Sequence, residues 1–220
     1  MGVNLKVQNV NDADVNAQST VDGSLLTASW IQQKVLEGRV FCAQAGLLTT
    51  AITWTATATN DQTKPAMFLH VPDGTTVIPL EISMYFEAYG TNAQAELEAI
   101  TGTGGVSAGG TAMTITNMRS DANVTSLCTA TSDITGGTAC TANVNAFWRD
   151  GQQFAITKTT AKADASIYDP NKFVWRHSDS LVAPVCKGAS QLMVTQGSQA
   201  GTGFGKIIFV ELPTGDLIKA

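Results

Sequence analysis

The chain has few charged residues, and this scarcity excludes several classes of protein. Asp, Glu, Lys and Arg make up 14% of its 220 residues, against about 25% in an average globular protein. Such a low content argues against a disordered chain, a coiled coil or a charged tail. The formal net charge is −5. Because Lys and Arg supply most of the affinity for phosphates, nucleic acid is not expected as a partner.

Long apolar runs are also missing. No stretch approaches the ~18 consecutive apolar residues of a membrane-spanning helix, and the first residues show no apolar run typical of a signal peptide. We therefore expect that the protein makes no membrane contact and that it matures in a cytoplasm. With only two histidines, His70 and His177, we predict neither a metal site nor a cofactor.

The cysteines lack the spacing of a metal site. None of the four forms a C-x-x-C pair, which argues against zinc. We expect buried free thiols, with pairing across a turn-rich stretch as the alternative for Cys128 and Cys140. The four residues are Cys42, Cys128, Cys140 and Cys186.

What is abundant is Thr, Ala and Gly, a mixture that suits strands and turns better than helices. Apolar and polar residues alternate strictly through 77–89, which predicts a half-buried strand, and 51–59 repeats the pattern. The last apolar segment, 206–212, is apolar on both faces, so we expect it to be a central, covered strand. Further strands are predicted at 40–43, 67–71, 113–117, 124–129, 146–149, 154–158, 173–176 and 191–195.

These patterns predict an all-β fold, an antiparallel β-sandwich resembling a jelly roll, with one or two short helices. The helices are expected at 28–37 and 92–101. Asp150-Gly151 predicts a tight hairpin between two of the strands. The predicted core contains Trp54, Ile82, Met84, Phe86, Ile208 and Val210.

The predicted organisation has three parts. Residues 1–39 form an N-terminal arm with a short helix, 40–212 form the sandwich domain, and 213–220 form a C-terminal tail.

One motif suggests catalysis. Ser107 lies in a G-x-S-x-G sequence, and Asp164 or Asp169 followed by His177 completes the chain order of an α/β-hydrolase triad. The motif lacks the preceding strand and following helix of a nucleophile elbow, and its glycines are typical of a flexible loop.

The run 201–206, which partly matches a phosphate loop, is likewise interpreted as a loop leading into the last strand. No catalytic constellation remains, so we predict a structural or binding protein and not an enzyme.

The strand at 77–89 also supplies a contact face. Glu81, Tyr85, Glu87 and Tyr89 share one side of it. The two carboxylates are about 20 Å apart along an extended chain, too far for a glycosidase pair. This side is interpreted either as a solvated outer face or as a contact surface, since Tyr is enriched at interfaces.

Two segments carry a resemblance to viral jelly-roll structural proteins, in particular capsid decoration or minor capsid proteins of bacteriophages. They are VPDGTTVIPLEISMYFEAYG and GASQLMVTQGSQAGTGFGKIIFVELP, and the resemblance extends over residues 40–212. It implies a virion protein, assembled in the host cytoplasm, that forms a homo-oligomer, with a trimer suspected, and contacts other virion or capsid proteins.

A carbohydrate-binding β-sandwich, lectin-like or receptor-binding, is the alternative. An exposed cluster of Trp148, Trp175, Tyr168 or Tyr89 on one surface would favour it, because sugars stack on exposed aromatic rings.

Overall fold

In the computed structural model, the described residues are 6–8, 14–16, 29–55, 60–89, 94–153, 172–180, 182–197 and 200–216. They form one α-helix, two one-turn 3-10 helices and strands that fall mainly into two packed sheets. The elements are α1 (Trp30–Leu36), the 3-10 helices His177–Asp179 and Thr214–Asp216, and strands β1 (Lys6–Gln8), β2 (Asp14–Asn16), β3 (Val40–Ala45), β4 (Ile52–Trp54), β5 (Met67–Val71), β6 (Thr75–Tyr89), β7 (Gln94–Thr103), β8 (Val106–Ala108), β9 (Thr111–Ala112), β10 (Thr114–Asn117), β11 (Thr129–Ser132), β12 (Gly136–Thr138), β13 (Ala142–Gln153), β14 (Lys172–Arg176), β15 (Cys186–Lys187), β16 (Ser190–Gly197) and β17 (Gly201–Pro213).

The connectivity of the two main sheets is that of a jelly roll. Four antiparallel pairs nest inside one another along the chain: β3 with β17, β5 with β16, β6 with β14, and β7 with β13. Rolling this long hairpin gives the order β3-β17-β6-β14 in one sheet and β13-β7-β16-β5 in the other. The predicted antiparallel sandwich of jelly-roll type is therefore confirmed.

The core lies between the two sheets. From the larger sheet, β6 contributes Ile82, Met84 and Phe86, all fully buried. The facing sheet contributes aliphatic side chains such as Leu97 and Leu192. Of the predicted core residues, Trp54, Ile82, Met84, Phe86 and Val210 are buried. Ile208 is half-buried, because it pairs with Glu81 on the outer face.

An insertion between β7 and β13 covers the outside of the smaller sheet. Ile134 and Cys140 from this insertion pack against Phe68 and Met193. As a result every residue of β16 is buried. As predicted, 206–212 lies in a central strand, since β17 pairs with β3 on one side and with β6 on the other. The outward residues of β17 are only half-buried over 202–208, whereas β16 is covered on both faces along its whole length.

The helix predicted at 92–101 is wrong, because most of that segment is strand β7. Ala95, Leu97 and Ala99 are buried while Glu96 and Glu98 are not, which is a period of two. The Ala, Leu and Glu residues favour a helix intrinsically by a few tenths of a kcal/mol each. Ladders with β13 on one side and β16 on the other outweigh that preference.

Two smaller predictions are also wrong. Strand β13 continues straight through Asp150 and Gly151, paired with β7, where a hairpin was expected. Residues 124–128 form no strand. Ser126 Oγ and the Leu127 N–H bond to the carboxylate of Glu211 and not to a ladder. The strand expected at 154–158 lies outside the described residues.

The other predicted helix is confirmed as α1, with Ser29 and Gln32 forming a capping box at its start. Gly38 follows its end at a φ of +70°, a conformation that favours glycine. All four cysteines are free thiols; Cys128, Cys140 and Cys186 are buried and Cys42 is partly buried. Burial raises the pKa of the Cys186 thiol to about 12.

Candidate binding face on the larger sheet

The outward side of the larger sheet carries side chains in ordered rows. In one row Phe204 of β17 lies opposite Tyr85 of β6, and Tyr85 lies opposite Lys172 of β14. The next row places Gln44, Lys206 and Ser83 side by side on β3, β17 and β6. The strand registers therefore bring two aromatic residues and two lysines together from three strands.

These residues line a shallow groove of about 480 Å³. Tyr85 is 41% exposed at this groove, whereas Phe204 is half-buried. The lining residues are Gln44, Ser83, Tyr85, Lys172, Phe204, Gly205 and Lys206. The groove offers an aromatic surface, two cations and two polar groups to a ligand.

A third row is organised by the carboxylate of Glu81, which makes two ion pairs. Its Oε1 lies 2.9 Å from Lys206 Nζ, and its Oε2 lies 3.3 Å from Arg176 Nε. Partial burial raises the pKa of Glu81, but the hydrogen bonds and charges of Lys206 and Arg176 outweigh it and hold the pKa below its ordinary value. Glu81 is thus an anion that fixes the position of the Lys206 side chain.

The predicted contact face is distributed along this side of β6. Tyr85 lines the groove, Glu81 lies beside it in the ion pairs, and Glu87 is exposed. The backbone of Tyr89 pairs with Gly201, and the side chain of Tyr89 lies outside the described residues.

The sequence predicts no site role for Phe204 or Lys206. A loop leading into the last strand is expected at 201–205, whereas the structure has these residues as the start of β17. The alternating glycines are the inward residues of the strand. A Cβ on Gly201 would lie 2.4 Å from the Phe86 ring, and one on Gly205 would lie 2.6 Å from Met67 Sδ. The period-two alternation of glycine with Thr, Phe and Lys was the signal that could have identified this strand.

Ser107 lies on a different surface. It is in the short strand β8, paired with β12, and lines a cavity of about 250 Å³ together with His70. The neighbouring Gly105 N–H donates to Gln191 Oε1 at 3.2 Å. His177 lies in the 3-10 helix after β14, and Asp164 and Asp169 lie outside the described residues. Among the described residues, the structure does not place Ser107 at a strand-to-helix elbow.

The aromatic residues proposed for sugar stacking do not form one exposed cluster in the described part of the chain. Trp175 is buried, and its ring contacts that of Phe147 edge-on at 5.1 Å. Trp148 is half-buried, and Tyr168 lies outside the described residues. The aromatic surface at the groove is instead made by Tyr85 and Phe204.

A second surface lies at the end of the sandwich where β6 begins and β17 ends. The segment 117–127 is attached there: Arg119 donates to the Leu36 carbonyl, and Leu127 N–H donates to Glu211. Strand β15 joins the same end, because Cys186 and Glu211 both pair with Val77. Large apolar side chains are exposed around this end, which we call the apolar end: Leu36, Met118, Val124, Leu127, Val182 and Val185.

No protein-family model, curated protein or solved structure matches this chain. Within the described residues no helix has the length and apolar character needed to cross a membrane. In the same residues no group of three or more His, Cys, Asp or Glu side chains is placed to hold a metal ion. The fold thus defines a jelly-roll β-sandwich, and any function must be argued from its surfaces.

Proposed function

We propose that this protein is a structural component of a virion, associated with the capsid, which acts by assembling with copies of itself and with other virion proteins. The jelly-roll connectivity supports the proposal, because this architecture is common in viral capsid domains. It is also common in lectins, so the fold alone does not decide between the two.

The observation that carries the proposal is the apolar end. Leu127 is 67% exposed and Val182 is 81% exposed, on a chain whose surface has few charges to keep such residues hydrated. Large exposed apolar patches mark sites of protein–protein contact, so we assign the apolar end as an interface. Burial of a fully exposed side chain of this kind contributes about 1.5–3 kcal/mol. The six side chains are 40–81% exposed, so burying them contributes roughly 5–10 kcal/mol, comparable with the ~4–15 kcal/mol cost of association.

The apolar end is also held in place before any partner arrives. Glu211, itself buried, accepts hydrogen bonds from Ser126 Oγ and from the Leu127 N–H. Asn117 Nδ2 bonds to the carbonyls of Gly38, at 2.8 Å, and Val124, at 3.2 Å. Because these hydrogen bonds already fix the segment 117–127, little conformational entropy is lost when a partner binds there.

A closed ring is the expected form of self-association. Cyclic symmetry buries the apolar end of every copy without producing open filaments, and we propose a trimer. Light scattering coupled to size exclusion should then give a mass close to three times 23.0 kDa.

A pair of variants tests whether the apolar end makes this contact. Leu127→Ser should lower the mass toward that of the monomer. Leu48→Ser is the matched control, because Leu48 is 91% exposed in the turn between β3 and β4, outside the apolar end, and should leave the mass unchanged. A wild-type chain that stays monomeric at micromolar and higher concentrations contradicts the assembly proposal.

The virion role has a separate test. Mass spectrometry of purified particles should detect the chain in fixed ratio to the major capsid protein, and its gene should lie among portal, protease and capsid genes. Particles that lack the chain would contradict a virion role even if the protein is an oligomer in solution.

A further inference from the structure

Beyond assembly, we propose that the groove on the larger sheet is a binding site for an acidic sugar, a pyranose ring that carries a carboxylate. The ring would stack on Tyr85 and Phe204, and the carboxylate would lie between Lys172 and Lys206. The site is on the outer face of the sheet and shares no residue with the apolar end.

The aromatic pair supplies the stacking surface. Tyr85 and Phe204 are direct neighbours across β6 and β17, so the two rings cover adjacent positions of one sheet face. The Phe204 ring also lies close to the turn after β3, where a Cβ on Gly46 would be 2.9 Å from it. A fixed aromatic surface binds the apolar face of a flat ring at little entropic cost.

The charge distribution selects an anion. In the described part of the chain, Lys172, Arg176 and Lys206 are cations at or beside the groove, and the carboxylate of Glu81 is shared by Arg176 and Lys206. Glu87 is exposed on the same strand but does not line the groove. The groove is therefore locally positive on a chain of net charge −5.

Both Lys172 and Lys206 have N–H donors available for a ligand. The Lys206 ammonium has three N–H donors and is placed by its 2.9 Å contact with Glu81 Oε1. Within the described part of the chain, no carboxylate pairs with Lys172. A ligand carboxylate can thus receive charge-assisted hydrogen bonds, which are stronger than neutral ones.

The hydroxyl groups of the sugar would find hydrogen-bond partners beside Lys206. Gln44 and Ser83 flank Lys206 in register on the neighbouring strands, and both line the groove. The volume of about 480 Å³ falls within the ~300–1,000 Å³ of small-ligand sites. An aromatic floor, a cationic side and flanking hydrogen-bonding groups are what a uronic acid requires.

Isothermal titration calorimetry of the full chain with three probes tests this proposal. Trigalacturonate has both the ring and the charge, maltotriose has the ring without the charge, and polyglutamate has the charge without the ring. We expect trigalacturonate to bind, with at least about tenfold weaker binding of maltotriose, as loss of a charge-assisted hydrogen bond predicts. Polyglutamate should bind no better than maltotriose.

Variants assign the binding to the groove. Tyr85→Ala and Lys172→Ala should each weaken trigalacturonate binding about tenfold or more, whereas Tyr85→Phe should retain it. Trp30→Ala and Lys187→Ala are the matched controls, since Trp30 is also 41% exposed and Lys187 is an exposed lysine on β15. Both should bind as the wild type does, and circular dichroism should show all variants folded.

Three results would overturn the proposal. They are no binding of trigalacturonate, equal binding of polyglutamate, or unchanged affinity in folded Tyr85→Ala protein. Because the apolar end is elsewhere, the oligomeric mass of the Tyr85→Ala variant should equal that of the wild type whatever the outcome.

Discussion

Phe86 connects four strands of the core, and its removal should show how strongly the sandwich depends on that contact. Its ring is 1% exposed and meets Trp54 edge-on at a centroid distance of 5.5 Å and Phe173 at 5.8 Å. Gly201 lies so close that a Cβ there would be 2.4 Å from the same ring. Phe86→Ala therefore removes the ring together with its edge-to-face contacts to Trp54 and Phe173, and leaves a cavity.

The cost follows from these contacts. Truncation of a buried Phe to Ala costs about 3–5 kcal/mol, and each aromatic pair adds about 0.5–1.5 kcal/mol beyond buried area, so we expect the upper part of this range, about 4–5 kcal/mol. For a chain of this length, each kcal/mol lowers the melting temperature by about 2–4 °C. Phe204→Ala, on the outer face and half-buried, is the matched control and should cost about 1 kcal/mol.

A double-mutant cycle with Gly201 sharpens the prediction. Gly201→Ala in the wild type forces a methyl against the Phe86 ring and should cost about 1–3 kcal/mol through overpacking. In the Phe86→Ala background the methyl meets an empty cavity. The double variant should then be about 1–3 kcal/mol more stable than the sum of the single costs predicts.

Urea unfolding at one fixed protein concentration, followed by circular dichroism and tryptophan fluorescence, measures all four corners of the cycle. Costs that add within about 0.5 kcal/mol would refute the proximity of Gly201 to the ring. A Phe86→Ala cost similar to that of Phe204→Ala would refute the central place of Phe86.

The remaining predictions concern charge and chemistry. Because the pKa of Glu81 is held below its ordinary value of 4.5, its ion pairs stabilise the fold above that pH and their contribution is lost as the pH falls through the folded pKa. Glu81→Gln should therefore be about 1 kcal/mol less stable than the wild type at pH 7, and the difference should shrink by pH 3; a constant difference in urea unfolding would contradict this. A fluorophosphonate probe should leave Ser107 unlabelled, because Ser107 lies within β8 and not at an elbow. Stoichiometric labelling that disappears in Ser107→Ala would overturn the prediction that the protein is not an enzyme.

Much of the fold could be predicted from local patterns. Alternation through 77–89 predicted β6 and its buried residues, since a strand places every second side chain on one face. The capping sequence and Gly38 predicted α1 for an equally local reason, because they act on the backbone within one turn.

The errors arose where distant residues outweigh local preference. The helix-forming residues of β7 become a strand because two neighbours supply ladders, and Asp150-Gly151 stays extended because β7 pairs with it throughout. Ser126 and Leu127 are kept out of a ladder by Glu211, which lies 84 positions or more further along the chain.

In the candidate site, too, some features follow from local sequence and others only from the tertiary structure. Composition and alternation were enough to predict an all-β chain and to place Glu81 and Tyr85 on an outer face, because those properties depend on residues close in sequence. Neither property could bring Lys172, Lys206 and Phe204 beside Tyr85. That grouping depends on the register between strands that are far apart in sequence, and register is set by packing across the whole sandwich.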